Sequence, residues 1–205
     1  MTQHMQFIAD GALTLKAATP DKLPSQFVGL AYSGAVIARL ALVIDLESTE
    51  VPGRMPLLSE HDRTAMVGVV ETATKRAGGL EVAGKLFSDI AGSTAERLAQ
   101  LAMRGAPLQM SIGLFNFAEE FVPAGQVVTV GGKTVPGPVT VLKRGVIREC
   151  SIVTLGADSA TSAQLFSGAG ARPARGVVRS PQDYLAKTAR EAAEYRARQG
   201  GRVTR

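Results

Sequence analysis

Serine, histidine and glutamate occur in this chain in three settings that combine into one kind of chemistry. Leu57-Leu58-Ser59-Glu60-His61-Asp62 carries one of only two histidines. Gln109-Met110-Ser111-Ile112-Gly113 puts a serine inside an apolar run. Arg148-Glu149-Cys150-Ser151-Ile152-Val153-Thr154 puts a lone carboxylate inside a strand-like stretch. A serine hydroxyl is a poor nucleophile at neutral pH and needs an imidazole to take its proton, and the imidazole needs a partner that fixes its tautomer. His61, Ser111 and Glu149 are therefore the candidate base, nucleophile and orienting carboxylate.

Each has a plainer reading. His61 after two leucines is also an ordinary half-exposed loop residue; His4, near the chain start, is the poorer candidate. Ser111 alternates with Met110 and Ile112 along a strand, so it turns away from the apolar face, toward a polar groove or solvent. The plain alternative is a strand serine bonded to its neighbours. Gly113, on the serine's face, has no side chain and lets substrate backbone approach. Glu149 is costly to bury without a partner; an ion pair with Lys143, Arg144 or Arg148 is the plain account. Asp62 adjoins His61 and competes for the orienting role, but adjacent side chains rarely orient one another, so Glu149 is preferred.

Other chemistries fit less well. Cys150 beside Glu149 on a strand points to the opposite face, into the core, where free cysteine usually sits. No His-Glu-x-x-His or paired Cys-x-x-Cys motif is present, so no metal and no cofactor is expected. Gly131-Gly132-Lys133-Thr134 looks like half a phosphate loop, but lacks the upstream glycine and a following helix; a hairpin turn is the better reading. A Gly-x-Ser-x-Gly elbow is absent because position 109 is Gln, which counts against an α/β-hydrolase.

The elements that must position these residues are mostly short strands. Expected strands are Phe7–Lys16, Phe27–Tyr32, Val36–Leu46, Met66–Thr74, Leu80–Phe87, Leu108–Phe117 and Val146–Leu155. Arg76-Ala77-Gly78-Gly79 reads as a hairpin turn, and the Gly- and Pro-rich stretch Val122–Val139 as a hairpin with a mobile tip. Ser93-Thr94-Ala95-Glu96 is a capping box for a helix carrying Leu98, Leu101 and Ala102, ended by Gly105 and Pro107. The expected fold class is α+β, mainly β: a closed or nearly closed antiparallel barrel-like domain with a few flanking helices. Regular strand–helix alternation is missing, which excludes a doubly wound parallel sheet.

At 205 residues and 45% hydrophobic content the chain fits one domain with a real core. Its single cysteine excludes an internal disulfide and suits a reducing compartment. No apolar run approaches the roughly 20 residues of a membrane span, and the start is not a secretory signal, so a cytoplasmic protein is expected. The net charge of +5 is unevenly placed. Residues 1–165 hold 14 Lys+Arg and 15 Asp+Glu, whereas residues 166–205 hold 9 and 3. The reading is one folded domain at 1–165 and a basic tail at 166–205. The tail begins as a Gly/Ala/Arg/Ser linker (166–180) and continues as a weak helix from Ser180-Pro181. A neutral body with few aromatics argues against nucleic-acid binding.

The same segments resemble the tailed-phage prohead proteases, which mature the capsid and look like relatives of the herpesvirus assemblins. The resemblance runs from about Phe27-Val28-Gly29-Leu30 to Leu155-Gly156-Ala157-Asp158. It includes Leu42-Val43-Ile44-Asp45-Leu46, the histidine block Pro56-Leu57-Leu58 with His61-Asp62 and Val67-Gly68, and Gly79-Leu80-Glu81-Val82-Ala83-Gly84. The serine block Met110-Ser111-Ile112-Gly113 and the late strand Glu149-Cys150-Ser151-Ile152-Val153-Thr154 complete it. Gly156-Ala157 stands where the family has Pro-Ala. The resemblance implies a herpesvirus-protease-like fold and a serine endopeptidase using His61, Ser111 and Glu149. It implies major capsid protein and scaffold protein as substrates, self-cleavage, association with further copies inside the prohead, and work in the bacterial host cytoplasm. It also implies an arginine near the oxyanion hole, for which Arg144 and Arg148 are the candidates. The alternative from another class is a non-enzymatic head-assembly protein that docks on capsid protein through its basic tail.

Overall fold

The computed structural model describes residues 22–76 and 78–167, together with the short strand His4–Gln6. The expected strand Phe7–Lys16 and the linker and helix of the tail lie outside the described residues, Phe166 and Ser167 excepted.

The fold is mainly β. In chain order the strands are β1 (His4–Gln6), β2 (Gln26–Tyr32), β3 (Leu42–Ile44), β4 (Met55–Ser59), β5 (Asp62–Arg76), β6 (Gly79–Leu86), β7 (Gln109–Phe115), β8 (Ala118–Val122), β9 (Val127–Val130), β10 (Lys133–Pro136), β11 (Val139–Lys143), β12 (Val146–Val153) and β13 (Ser162–Phe166). Eight of them form one curled sheet in the order β1-β7-β12-β4-β5-β6-β2-β13. A smaller sheet, β3-β11-β8, and the hairpin β9-β10 stand beside it. One α-helix, α1 (Thr94–Met103), is present among the described residues, with a 3₁₀ turn at Ala38–Leu40.

Two features correct the expected closed or nearly closed antiparallel barrel with a few flanking helices. The barrel is open. The sheet curls far enough for β2 to pack against β7, yet the two ends of its strand order do not pair. Near the seam a side chain bonds where a ladder would run: Thr161 Oγ1 donates to the Met110 carbonyl at 2.9 Å. Gly29, Ser162 O and the Met110 side chain crowd the same place, where a Cβ on Gly29 would collide with both neighbours. Nor is the pairing all antiparallel, since β12 runs parallel to β4 and β11 parallel to β3.

The helix follows its sequence signals. Ser93 Oγ accepts from the Glu96 amide at 3.1 Å, and Glu96 Oε2 accepts from Gly92 N at 2.7 Å, one residue before the expected capping-box partner. Ala95, Leu98, Ala99 and Ala102 form the buried stripe, while Leu101 stays outside it. The segment 87–108 carries the chain from β6 across the sheet to β7, with three strands, β5, β4 and β12, between them in the order. That crossover sets the site-bearing strand beside β12.

The apolar run Val36–Leu46 is not one strand. Ile37 N donates to Leu42 O at 2.7 Å, closing a loop whose turn ends on Ala41 in the left-handed region (φ 48°). Only Leu42–Ile44 is extended, and the Ile44 amide donates to the Tyr32 hydroxyl at 3.0 Å. The main core gathers Phe27, Leu57, Met110, Leu114 and Ile147 with the helix stripe. A second cluster of valines, Val43, Val122, Val130, Val135, Val139 and Val141, holds the smaller sheet and the hairpin.

Candidate functional site

Three neighbouring strands bring Ser111, Glu149 and His61 together. β12 lies between β7 and β4. The β7–β12 register pairs Ser111 with Ser151 and Gly113 with Glu149. Directly paired residues share a sheet face, so Ser111, Ser151 and Glu149 point the same way while Met110, Ile112, Cys150 and Ile152 point into the core. The register shifts between Ile147 and Glu149, leaving Arg148 as the extra residue of a bulge. A bulge re-aims the side chains next to it.

His61 reaches this face from the turn after β4. Ser59 pairs with Asp62 across a two-residue connection, Glu60-His61. Both residues have positive φ, 51° and 58°, a pattern that favours Asn-Gly and costs non-glycine residues roughly 1–2 kcal/mol each. The turn is pinned to β12 and its end. Glu60 N donates to Ile152 O at 3.0 Å. The Thr154 amide and hydroxyl donate to Glu60 Oε1 at 2.7 and 3.0 Å. His61 N donates to Ser151 Oγ at 3.1 Å.

The ring then bridges the other two residues. His61 Nδ1 lies 2.7 Å from Glu149 Oε1, and His61 Nε2 lies 2.8 Å from Ser111 Oγ. A carboxylate only accepts, so Nδ1 carries the proton, leaving Nε2 to accept from the serine hydroxyl. Ser151 Oγ donates to Glu149 Oε2 at 2.8 Å. Both carboxylate oxygens are thereby engaged, which lets a buried charge stand. Ser151 was not singled out in the sequence as a site residue, although its spacing of two from Glu149 on a strand places it on the same face.

Ser111, His61 and Glu149 are 1%, 5% and 7% exposed, so the serine lies in a buried polar network, not toward an open groove. Gly113 also differs from its expected role. A Cβ there would fall on Glu149 Oε1, so the missing side chain makes room for the carboxylate, not for substrate backbone.

The remaining candidates go elsewhere. Asp62 Oδ1 accepts from the Thr64 amide and hydroxyl at 2.8 and 2.7 Å. Those bonds hold its carboxyl below the usual range. Of the two carboxylates weighed for His61, Glu149 is the one that reaches it. Cys150 is fully buried with its Sγ 3.8 Å from Met55 Sδ; burial first, and the Glu149 charge second, push its thiol far up. A thiolate is thus disfavoured where a thiol protease would need one. Arg144 sits in the β11–β12 turn with φ 56° and donates its amide to Ser48 Oγ. Arg148 lies over the Phe115 ring, 5.7 Å from its centroid. No contact brings either arginine to Ser111. Among the described residues no cluster of His, Cys, Asp and Glu forms a metal cage, and no helix is long and apolar enough to cross a membrane.

Comparison of the chain with protein-family models, with curated proteins and with solved structures finds no match.

Proposed function

We propose that this protein is a serine endopeptidase in which Ser111 is the nucleophile, His61 the general base and acid, and Glu149 the orienting carboxylate. The observation that carries the reading is the continuous relay Ser111 Oγ–His61 Nε2 and His61 Nδ1–Glu149 Oε1, at 2.8 and 2.7 Å. These separations fall within the roughly 2.6–3.2 Å over which a base can take a hydroxyl proton. Ser111 Oγ attacks the scissile carbonyl as its proton passes to Nε2. Collapse of the tetrahedral species expels the amine, which takes that proton, and leaves an acyl-serine. Water, deprotonated by the same nitrogen, then releases the acid. Glu149 stays ionised and stabilises the transient imidazolium.

The resemblance to prohead proteases supplies the biological setting. The substrates are segments of scaffold and major capsid protein, and of the chain itself, cut inside an assembling prohead in the bacterial host cytoplasm. The basic tail (166–205) is a handle for acidic scaffold.

The burial of Ser111 favours a second reading, in which the three residues are a satisfied polar knot in a non-enzymatic head-assembly protein. Reaction with a fluorophosphonate probe separates the two. The peptidase reading expects covalent labelling that peptide mapping places on Ser111, absent in Ser111→Ala and His61→Ala. It also expects chain fragments to accumulate on storage of the wild type only. An unlabelled, intact wild-type protein would favour the structural reading.

A further inference from the structure

Each of the three segments that carries a relay residue also contributes one member of a second cluster. Arg63 follows His61 by two residues, Arg148 immediately precedes Glu149, and Phe115 follows Ser111 by four. Both guanidinium carbons lie 5.7 Å from the centroid of the Phe115 ring, within the range of cation–π attraction. Phe115 shares the serine's face of β7 by alternation, and Arg148 owes its place to the bulge beside Glu149.

The charge at this cluster is unbalanced. The ion pairs among the described residues, apart from His61–Glu149, join Arg76 to Glu81, Lys85 to Glu71 and Lys143 to Glu120; none involves Arg63 or Arg148. The nearest carboxylates in sequence are committed, Glu149 to His61 and Ser151, and Asp62 to Thr64. Both arginines are exposed. Two cations held on one ring, both exposed and with no ion-pair partner among the described residues, are pre-organised for a carboxylate from outside.

We propose that Arg63, Arg148 and Phe115 form a subsite that binds an acidic side chain of the peptide substrate, about four residues from the bond that is cut. The separation follows from the strand: four residues at about 3.4 Å each place Phe115 roughly 14 Å from Ser111, and an extended peptide advances by the same rise. The inference rests on the peptidase reading and adds to it a substrate class, peptides bearing Asp or Glu at that distance.

The test is cleavage of a chymotryptic peptide library from a bacterial lysate by the full-length protein, with cut positions read by mass spectrometry. The wild type should enrich Asp and Glu several-fold at one position about four residues from the cut. Arg63→Ala/Arg148→Ala should erase that enrichment while sites without an acid are still cut. On one acidic peptide the double change should raise KM roughly threefold to tenfold, the range two exposed ion pairs allow, with kcat held. Arg148→Glu should move the preference toward Lys and Arg. Absence of acidic enrichment in the wild type, or its survival in the double variant, overturns the subsite. Failure of the peptidase reading looks different: no peptide is cut and no fluorophosphonate reaches Ser111. In that event a fluorescein-labelled Glu-rich peptide titrated onto the full chain still decides. Binding tighter than that of its Gln-for-Glu counterpart, lost in the double variant, supports the subsite, and equal binding overturns it.

Discussion

A methyl group at position 113 would occupy the volume in which Glu149 Oε1 now sits. Gly113→Ala must therefore push the carboxylate off His61 Nδ1 or spread β7 from β12, at an overpacking cost of about 1–3 kcal/mol. Activity should fall at least a hundredfold. Gly53→Ala, where a Cβ meets nothing within 4 Å, is the matched control and should change neither activity nor melting temperature. Glu149→Gln tests the charge at constant shape. It removes the charge that stabilises the imidazolium and can turn an amide N–H toward Nδ1, which fixes the wrong tautomer, and the single-turnover rate should fall by about 10⁴, as it does when a Ser-His-Asp protease loses its carboxylate. Asp62→Asn should leave that rate within a few-fold of wild type, because Asp62 bonds to Thr64 and not to the ring. Its carboxyl is held low in the folded protein. Its small contribution to stability is thus complete above the ordinary aspartate range and is lost as pH falls through the lowered value. The asparagine variant should lack that acid-side slope. If the two variants rank the other way in rate, Glu149 is only a structural partner of His61.

The turn Glu60-His61 concentrates backbone strain at the residue that would do the chemistry, and Glu60 holds it by accepting two bonds from Thr154. Glu60 touches no reacting atom, so it is a positioning residue. Glu60→Ala should lower kcat about tenfold, equivalent to about 1.4 kcal/mol of barrier, and leave KM nearly unchanged. Equal losses in both constants would point to general unfolding of the turn. The elements legible in the sequence were those with local signals. The Ser93 cap announces α1, and Gly78-Gly79 announces the β5–β6 hairpin. Alternation about Ser111 fixed the face that Ser111 and Gly113 share, but not that this face is buried. The run Val36–Leu46 misled because an unbroken apolar stretch carries no period, and a left-handed alanine at 41 leaves no mark in composition. β13 is hard to read from the sequence although Ala163 and Leu165 alternate with polar neighbours and are buried. Five residues beside a glycine-rich stretch give too short a pattern to separate from a linker.

Pairing between distant strands is set by the whole molecule, which is why the open seam and the parallel β4–β12 pair could not be read from any segment alone. Residue types and their order were enough to nominate His61, Ser111 and Glu149; the Arg148 bulge and the strained turn that aim them are products of packing. The position of the last strand likewise bears on where the folded body ends. β13 pairs with β2 from Ser162↔Leu30 to Phe166↔Gln26, and Ser25 N donates to Phe166 O at 3.1 Å. Phe166, which the charge distribution places in the tail, is therefore the last described residue of the sheet. A chain ending at Ser167 should keep a cooperative thermal transition and react with fluorophosphonate as the full-length protein does. A chain ending at Thr161 loses the buried Leu165 and Ala163 and a whole ladder of the sheet. Burying one leucine contributes roughly 1.5–3 kcal/mol before the ladder is counted, and a domain has only about 5–15 kcal/mol to lose. That shorter chain should melt well below the longer one or not fold. Removing residues 168–205 also takes away 9 Lys+Arg against 3 Asp+Glu. The Ser167-ending chain should then bind an acidic polypeptide more weakly than the full-length protein, the difference shrinking as salt shortens the screening length below about 8–10 Å. Undiminished binding at low salt would locate the attraction on the body, with Arg63 and Arg148 the first residues to change, whereas loss of the cooperative transition would mean that residues beyond 167 belong to the core.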